Sequence, residues 1–69
     1  MEYKDYIITE FVNDKGQWQA RIRRKDGKHI RVQGTTVVEF NTHHASSEIE
    51  ATRIAREAID TKMLSLARD

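Results

Sequence analysis

The chain contains no cysteine, which excludes a disulfide staple and a thiolate zinc site and suits a reducing compartment. Proline is absent as well, and no Ser-rich, low-complexity or repeated stretch interrupts the sequence, so nothing in it reads as a linker. The expectation is a single small α+β domain over residues 1–69, close to the lower size at which a core holds unaided. No apolar run approaches the roughly 20 residues needed to span a bilayer. Glu2, Lys4, Asp5 and Glu10 charge the segment where a signal peptide would be apolar. Together these absences predict a cytoplasmic protein with no membrane partner. The formal net charge of +1 gives no bulk attraction to nucleic acid or acidic lipid, so any anion recognition must come from the placement of charge.

What is present organises itself around residues 16–34. Trp18, Ala20 and Ile22 alternate with Gln17, Gln19, Arg21 and Arg23, the period of a strand with one buried face. Ile30 and Val32 alternate in the same way with His29, Arg31 and Gln33. A loop of Lys25, Asp26 and Gly27, with Gly27 left-handed, keeps the two faces separate by pairing Ile22 with Ile30, Ala20 with Val32 and Arg21 with Arg31. In this register Arg21 opposes Arg31. Like charges directly opposite on a sheet cost about 0.2 to 1 kcal/mol, which an anionic partner would relieve, while splaying into water is the plainer remedy.

Tyr6 to Val12 reads as the strand before this hairpin, and Met1 to Asp5 as frayed. A four-residue loop of Asn13, Asp14, Lys15 and Gly16 pairs Phe11 with Trp18, Thr9 with Ala20 and Ile7 with Ile22. A three-residue loop would turn Glu10 toward the core, so the longer loop is preferred. Tyr6, Ile8 and Val12 then share the outer face with the arginines. Residues 35–40 are extended in character and form a continuation or short fourth strand after Gly34.

Ser47-Glu48-Ile49-Glu50 is a capping box opening a helix whose apolar stripe runs through Ala51, Ile54, Ala55, Ala58, Ile59 and Leu66, with Lys62 snorkelling from the end of that stripe. One apolar sheet face and one amphipathic helix must cover each other. The predicted fold is a three-stranded antiparallel β-meander, with a possible short fourth strand, packed on one C-terminal α-helix: β-β-β-α.

Catalytic and metal chemistry find little support. His43 and His44 are adjacent, so their side chains diverge, and no third ligand stands near them in sequence. There is no nucleophile elbow, no Gly-rich phosphate loop and no sign of a water-excluding cleft, so neither an enzyme, a cofactor nor a small-molecule substrate is expected. The chemistry that is concentrated is that of nucleic-acid contact: Gln19, Arg21, Arg23, His29, Arg31 and Gln33 on one face, with arginine suited to phosphate or guanine and glutamine to adenine.

Gly16-x-Trp18-x-Ala20-x-Ile22-Arg23, followed by Gly27-Lys28, Gly34-Thr35 and Glu50-Ala51 with Ala55 and Ala58, resembles the sheet-plus-helix DNA-binding domains of the AP2 type and the arm-binding domains of integrases. The resemblance spans about residues 16–60 and implies a sheet laid in the major groove, with Arg21 and Arg23 facing it. The layout is equally similar to small stand-alone bacterial domains of unknown function. The expected function is a non-enzymatic binding module for nucleic acid; the alternative is a protein-interaction or homodimerising domain using Tyr6, Ile8 and Val12 or an open sheet edge.

Overall fold

Asn13 sets the register of the first hairpin in the computed structural model, which describes residues 1–67. Its side-chain oxygen accepts the N–H groups of Lys15 and Gln17 at 2.9 and 3.0 Å, and its own N–H donates to the Gln17 carbonyl at 2.8 Å. Gly16, at φ 76°, closes a loop of Asp14, Lys15 and Gly16 between β2 (Tyr6–Val12) and β3 (Trp18–Arg24). Val12 consequently opposes Trp18, Glu10 opposes Ala20, and Ile8 opposes Ile22. This is the shorter of the two loops weighed above, and a one-residue shift exchanges the faces of β2. Tyr6 and Ile8 are therefore core residues, Ile8 at 0% exposure, and neither is available as an interface; Val12 alone of that trio is exposed. Glu10 does point to the helix side. It is accommodated there because the Thr52 hydroxyl donates to its carboxylate.

The N-terminal segment is ordered rather than frayed. β1 (Glu2–Tyr3) pairs with β2 through a turn at Lys4 and Asp5, and the Tyr3 hydroxyl donates to Asp60 at 2.7 Å while Lys4 Nζ reaches the same carboxylate at 2.6 Å.

The larger departure concerns β4 (Ile30–Val32). The Lys25-Asp26-Gly27 turn forms, with Gly27 at φ 78°, yet β4 does not return along β3. The Arg24 side chain, 9% exposed, donates to the carbonyls of His29 at 2.9 Å and Ala67 at 3.1 Å and pairs with Asp26, fastening the loop to a second sheet. Gln33 and Gly34, at φ 50° and 80°, make a two-residue type I′ turn that folds β5 (Thr35–Val37) onto β4. After a bend at Val38, β6 (Glu39–Asn41) comes back beside β3. The expected pairs Ile22–Ile30, Ala20–Val32 and Arg21–Arg31 are replaced by Ile22–Phe40, Arg21–Asn41 and Arg23–Glu39. Electrostatics favours the exchange: an arginine opposite an arginine gives way to an arginine opposite a glutamate.

The helix α1 (Glu48–Asp60) starts where its cap predicts, with Ser47 Oγ accepting the Glu50 N–H at 3.1 Å; the Glu50 carboxylate, however, turns to Arg53 rather than back to Ser47. It stops earlier than its apolar stripe suggests. Lys62, at φ 61°, donates its N–H to the Ile59 carbonyl while Met63 donates to that of Ala58, the Schellman pattern with a lysine where glycine is favoured. The chain reverses into β7 (Leu64–Leu66), antiparallel to β4. Leu64 takes the buried position and Leu66, expected on the helical stripe, is 46% exposed.

The result is an α+β fold of antiparallel sheets with one helix toward the C-terminus, built from seven strands among the described residues rather than three. One sheet has the order β1-β2-β3-β6 and the other β5-β4-β7. A single apolar cluster joins them, with Ile8, Ile22 and Ile30 fully covered and Ala51 and Ala55 allowing α1 to approach β3 closely. Trp18 packs half-buried against this cluster.

The register is tested by a pair of truncations. Ile8→Ala should lower stability by about 2 to 5 kcal/mol, whereas Ile7→Ala, at a site 38% exposed, should stay within about 1 kcal/mol. Chemical denaturation of both variants measures this, and the reverse ranking would restore the longer loop. Relieving the left-handed backbone at the helix end with Lys62→Gly should raise stability by about 0.5 to 1 kcal/mol. A lowered melting temperature would show that the Lys62 side chain contributes more than its backbone strain.

Candidate functional site

The register places Ile7, Thr9 and Phe11 of β2 beside Arg23, Arg21 and Gln19 of β3, and these beside Glu39 and Asn41 of β6. Alternation puts all of them on the face of the four-stranded sheet turned away from α1. At its centre, Arg21 Cζ lies 4.9 Å from the centroid of the Phe11 ring, a cation–π distance. Arg23 donates to one oxygen of Glu39 at 2.8 Å. Arg21 Nε lies 3.0 Å from the other, but outside hydrogen-bonding angle, and that buried N–H has no hydrogen-bond acceptor. The short distance and the missing bond are compatible: Glu39 meets Arg21 by charge and Arg23 by charge and hydrogen bond together. The Arg23 hydrogen bond, followed by the charges of Arg21 and Arg23, outweighs desolvation and holds the Glu39 carboxyl below the ordinary value of 4.5.

The residues singled out from sequence are divided by this geometry. Gln19, Arg21 and Arg23 share the outer face, although Gln19 is occupied: its amide donates to the Thr42 carbonyl at 2.6 Å and accepts from Asn13 at 2.8 Å, tying the hairpin loop to the segment after β6. Arg31 belongs to the other sheet, where it is exposed between Thr36 and Ser65. His29 lies in the loop before β4 and Gln33 in the β4–β5 turn. The single basic face expected from the β3–β4 hairpin is therefore not formed, because β4 pairs elsewhere. Phe11, Thr9, Asn41 and Glu39 are the members of the site that sequence reasoning left out. Phe11 and Thr9 carry an alternation as good as that of Tyr6 and Ile8, and only the loop length decides between the two sets.

Elsewhere, a groove of about 480 Å³ runs between β6 and α1, with Phe40, Ile54, Ala58 and Met63 among its lining residues. Its helical wall is closed electrostatically, since Arg53 is shared by Glu50 and Glu57. The Thr42 hydroxyl beside it is committed to the Ala20 N–H at 3.0 Å. His43 and His44 are exposed, with His43 Nδ1 3.2 Å from the His44 carbonyl oxygen. Among the described residues no group of three or more His, Asp or Glu side chains is arranged to hold a metal ion, and no helix is long and apolar enough to cross a membrane.

No protein-family model, curated protein or solved structure matches the chain.

The Glu39 arrangement has a direct solution signature. Because its carboxyl pKa is lowered in the folded state, its stabilising contribution is present above the ordinary glutamate value and is lost as pH falls through the folded midpoint. An NMR titration of the side-chain carboxyl should give a midpoint below 4.5, and Arg23→Ala should move it upward. An unchanged midpoint in the variant would remove Arg23 as the cause.

Proposed function

We propose that the protein is a non-enzymatic binding module that receives a nucleic-acid strand on the outer face of its four-stranded sheet. The observation that carries this reading is the stacked pair at its centre: the Arg21 guanidinium beside the Phe11 ring, with Arg23 on the next outward position of the same strand. A guanidinium lying on an aromatic ring offers a flat stacking surface to an unpaired base, and neighbouring guanidinium groups suit the phosphates on either side of it. Thr9 and Asn41, both exposed on the same face, add a hydroxyl and an amide able to reach sugar or base edges. The ring favours a single strand over a duplex, whose bases are already stacked.

A second reading, an interaction domain that accepts a protein strand, is favoured by one observation. β6 is an edge strand of its sheet and borders the partly apolar groove along α1. A second copy of the chain is the simplest occupant.

The test is an amide-resolved NMR titration with an oligothymidylate of about ten nucleotides, repeated at low and moderate salt. Shifts should cluster on Thr9, Phe11, Arg21, Arg23 and Asn41 and fade as salt rises. No shifts at high protein concentration would overturn the nucleic-acid reading. Concentration-dependent shifts of Phe40, Ile54 and Met63 in the absence of oligonucleotide would favour the second.

A further inference from the structure

The outer face carries its own anion. Arg21 and Arg23 stand two positions apart on one strand, so both project from the same side, and a single carboxylate lies against them with one oxygen toward each. A phosphodiester presents the same pattern, two equivalent oxygens able to meet two guanidinium groups at once. Arg21 Nε keeps an unused donor at 3.0 Å from the carboxylate, so the glutamate neutralises this position without satisfying it. Arg23 is largely exposed, and ion pairs so open to solvent are weakly held. Glu39 is also the first residue of a three-residue edge strand, directly after the bend at Val38.

We propose that Glu39 is an intramolecular stand-in for a backbone phosphate, so that nucleic acid docks on this sheet by displacing the Glu39 carboxylate from Arg21 and Arg23. The inference rests on the nucleic-acid reading above and adds the residue that sets its affinity. Binding is an exchange of one anion for another: the incoming phosphate takes the two guanidinium groups, gains the idle Arg21 donor, and leaves the carboxylate to water. Glu39 therefore acts as a threshold. Weak or singly charged anions do not displace it, whereas a strand that also stacks on Phe11 does.

The experiment compares wild type, Glu39→Gln and Glu48→Gln in fluorescence-anisotropy titrations with labelled oligothymidylate across a salt series. Glu48→Gln makes the same change in net charge at the exposed start of α1, away from the face. Glu39→Gln should bind roughly fivefold tighter, the release of one weak competing ion pair, and its salt slope should steepen by about 0.7, the value of one phosphate contact on a single strand. Glu48→Gln should match wild type. Equal gains in both variants would overturn the proposal, because net charge alone would account for them. Equal binding by wild type and Glu39→Gln would overturn it too while leaving the nucleic-acid reading intact, and no binding by any of the proteins would overturn both. Should Glu39→Gln fail to melt cooperatively, Glu39→Asp takes its place: the shorter carboxylate keeps the charge but bridges the arginines less well, and tighter binding than wild type is again the expected result.

Discussion

The choice of β6 as the neighbour of β3 is the constraint on which the layout of this small fold turns, and it sets Glu39 opposite Arg23 with Arg21 against its second oxygen. Two outward arginines on one strand need a neighbour that does not repel them. β4 would bring Arg31; β6 brings Glu39 and Asn41. With β6 in that place, β4 belongs to a second sheet, β5 is its hairpin partner through the Gln33-Gly34 turn, and the bend at Val38 carries the chain from one sheet to the other. The helix ends at Asp60, which leaves Leu64–Leu66 to pair along the other edge of β4. Arg24 secures the arrangement from below by holding the carbonyls of His29 and Ala67 together.

The parts of this fold legible in the sequence are those governed by local chemistry. Ser47 caps the helix, Gly16 and Gly27 take left-handed conformations in their turns, and Ala20 and Ile22 face inward. What was not legible depends on distant groups. Both alternations of β2 are apolar enough to be buried, and the penalty of turning Glu10 inward counts against the set containing Tyr6 and Ile8. That penalty is removed by the Thr52 hydroxyl, 42 residues away, which no local pattern announces. The helix end is hidden for a related reason: Lys62 occupies a position where glycine would signal termination, so the apolar stripe continues to Leu66 in the sequence although the helix does not. The partner of β3 is not legible locally either, because β6, the strand whose charge suits it, is not the next strand in the sequence.

With β6 rather than β4 beside β3, the arginines stand in a different setting. Opposed to Arg31, Arg21 would have been relieved by an external anion or by splaying into water. Paired with Glu39, it needs no such relief, and what marks the surface is its arrangement: a guanidinium beside an aromatic ring, a second guanidinium on the same strand, and exposed Thr9 and Asn41. The residues expected on one face are also dispersed, with Arg31 on the second sheet and His29 and Gln33 in its connections, so of the expected arginines Arg21 and Arg23 alone share the outer face.

The account depends most directly on which strand lies beside β3, and backbone NOEs answer this in solution. The Thr42 N–H donates to the Ala20 carbonyl, so alternation along the ladder makes Arg21–Asn41 and Arg23–Glu39 the close, non-hydrogen-bonded pairs. Strong Hα–Hα contacts within those two pairs are the predicted result. Backbone contacts joining Arg21 to Arg31 and Ile22 to Ile30 in their place would contradict it, and the role given to Glu39 would fall with the topology.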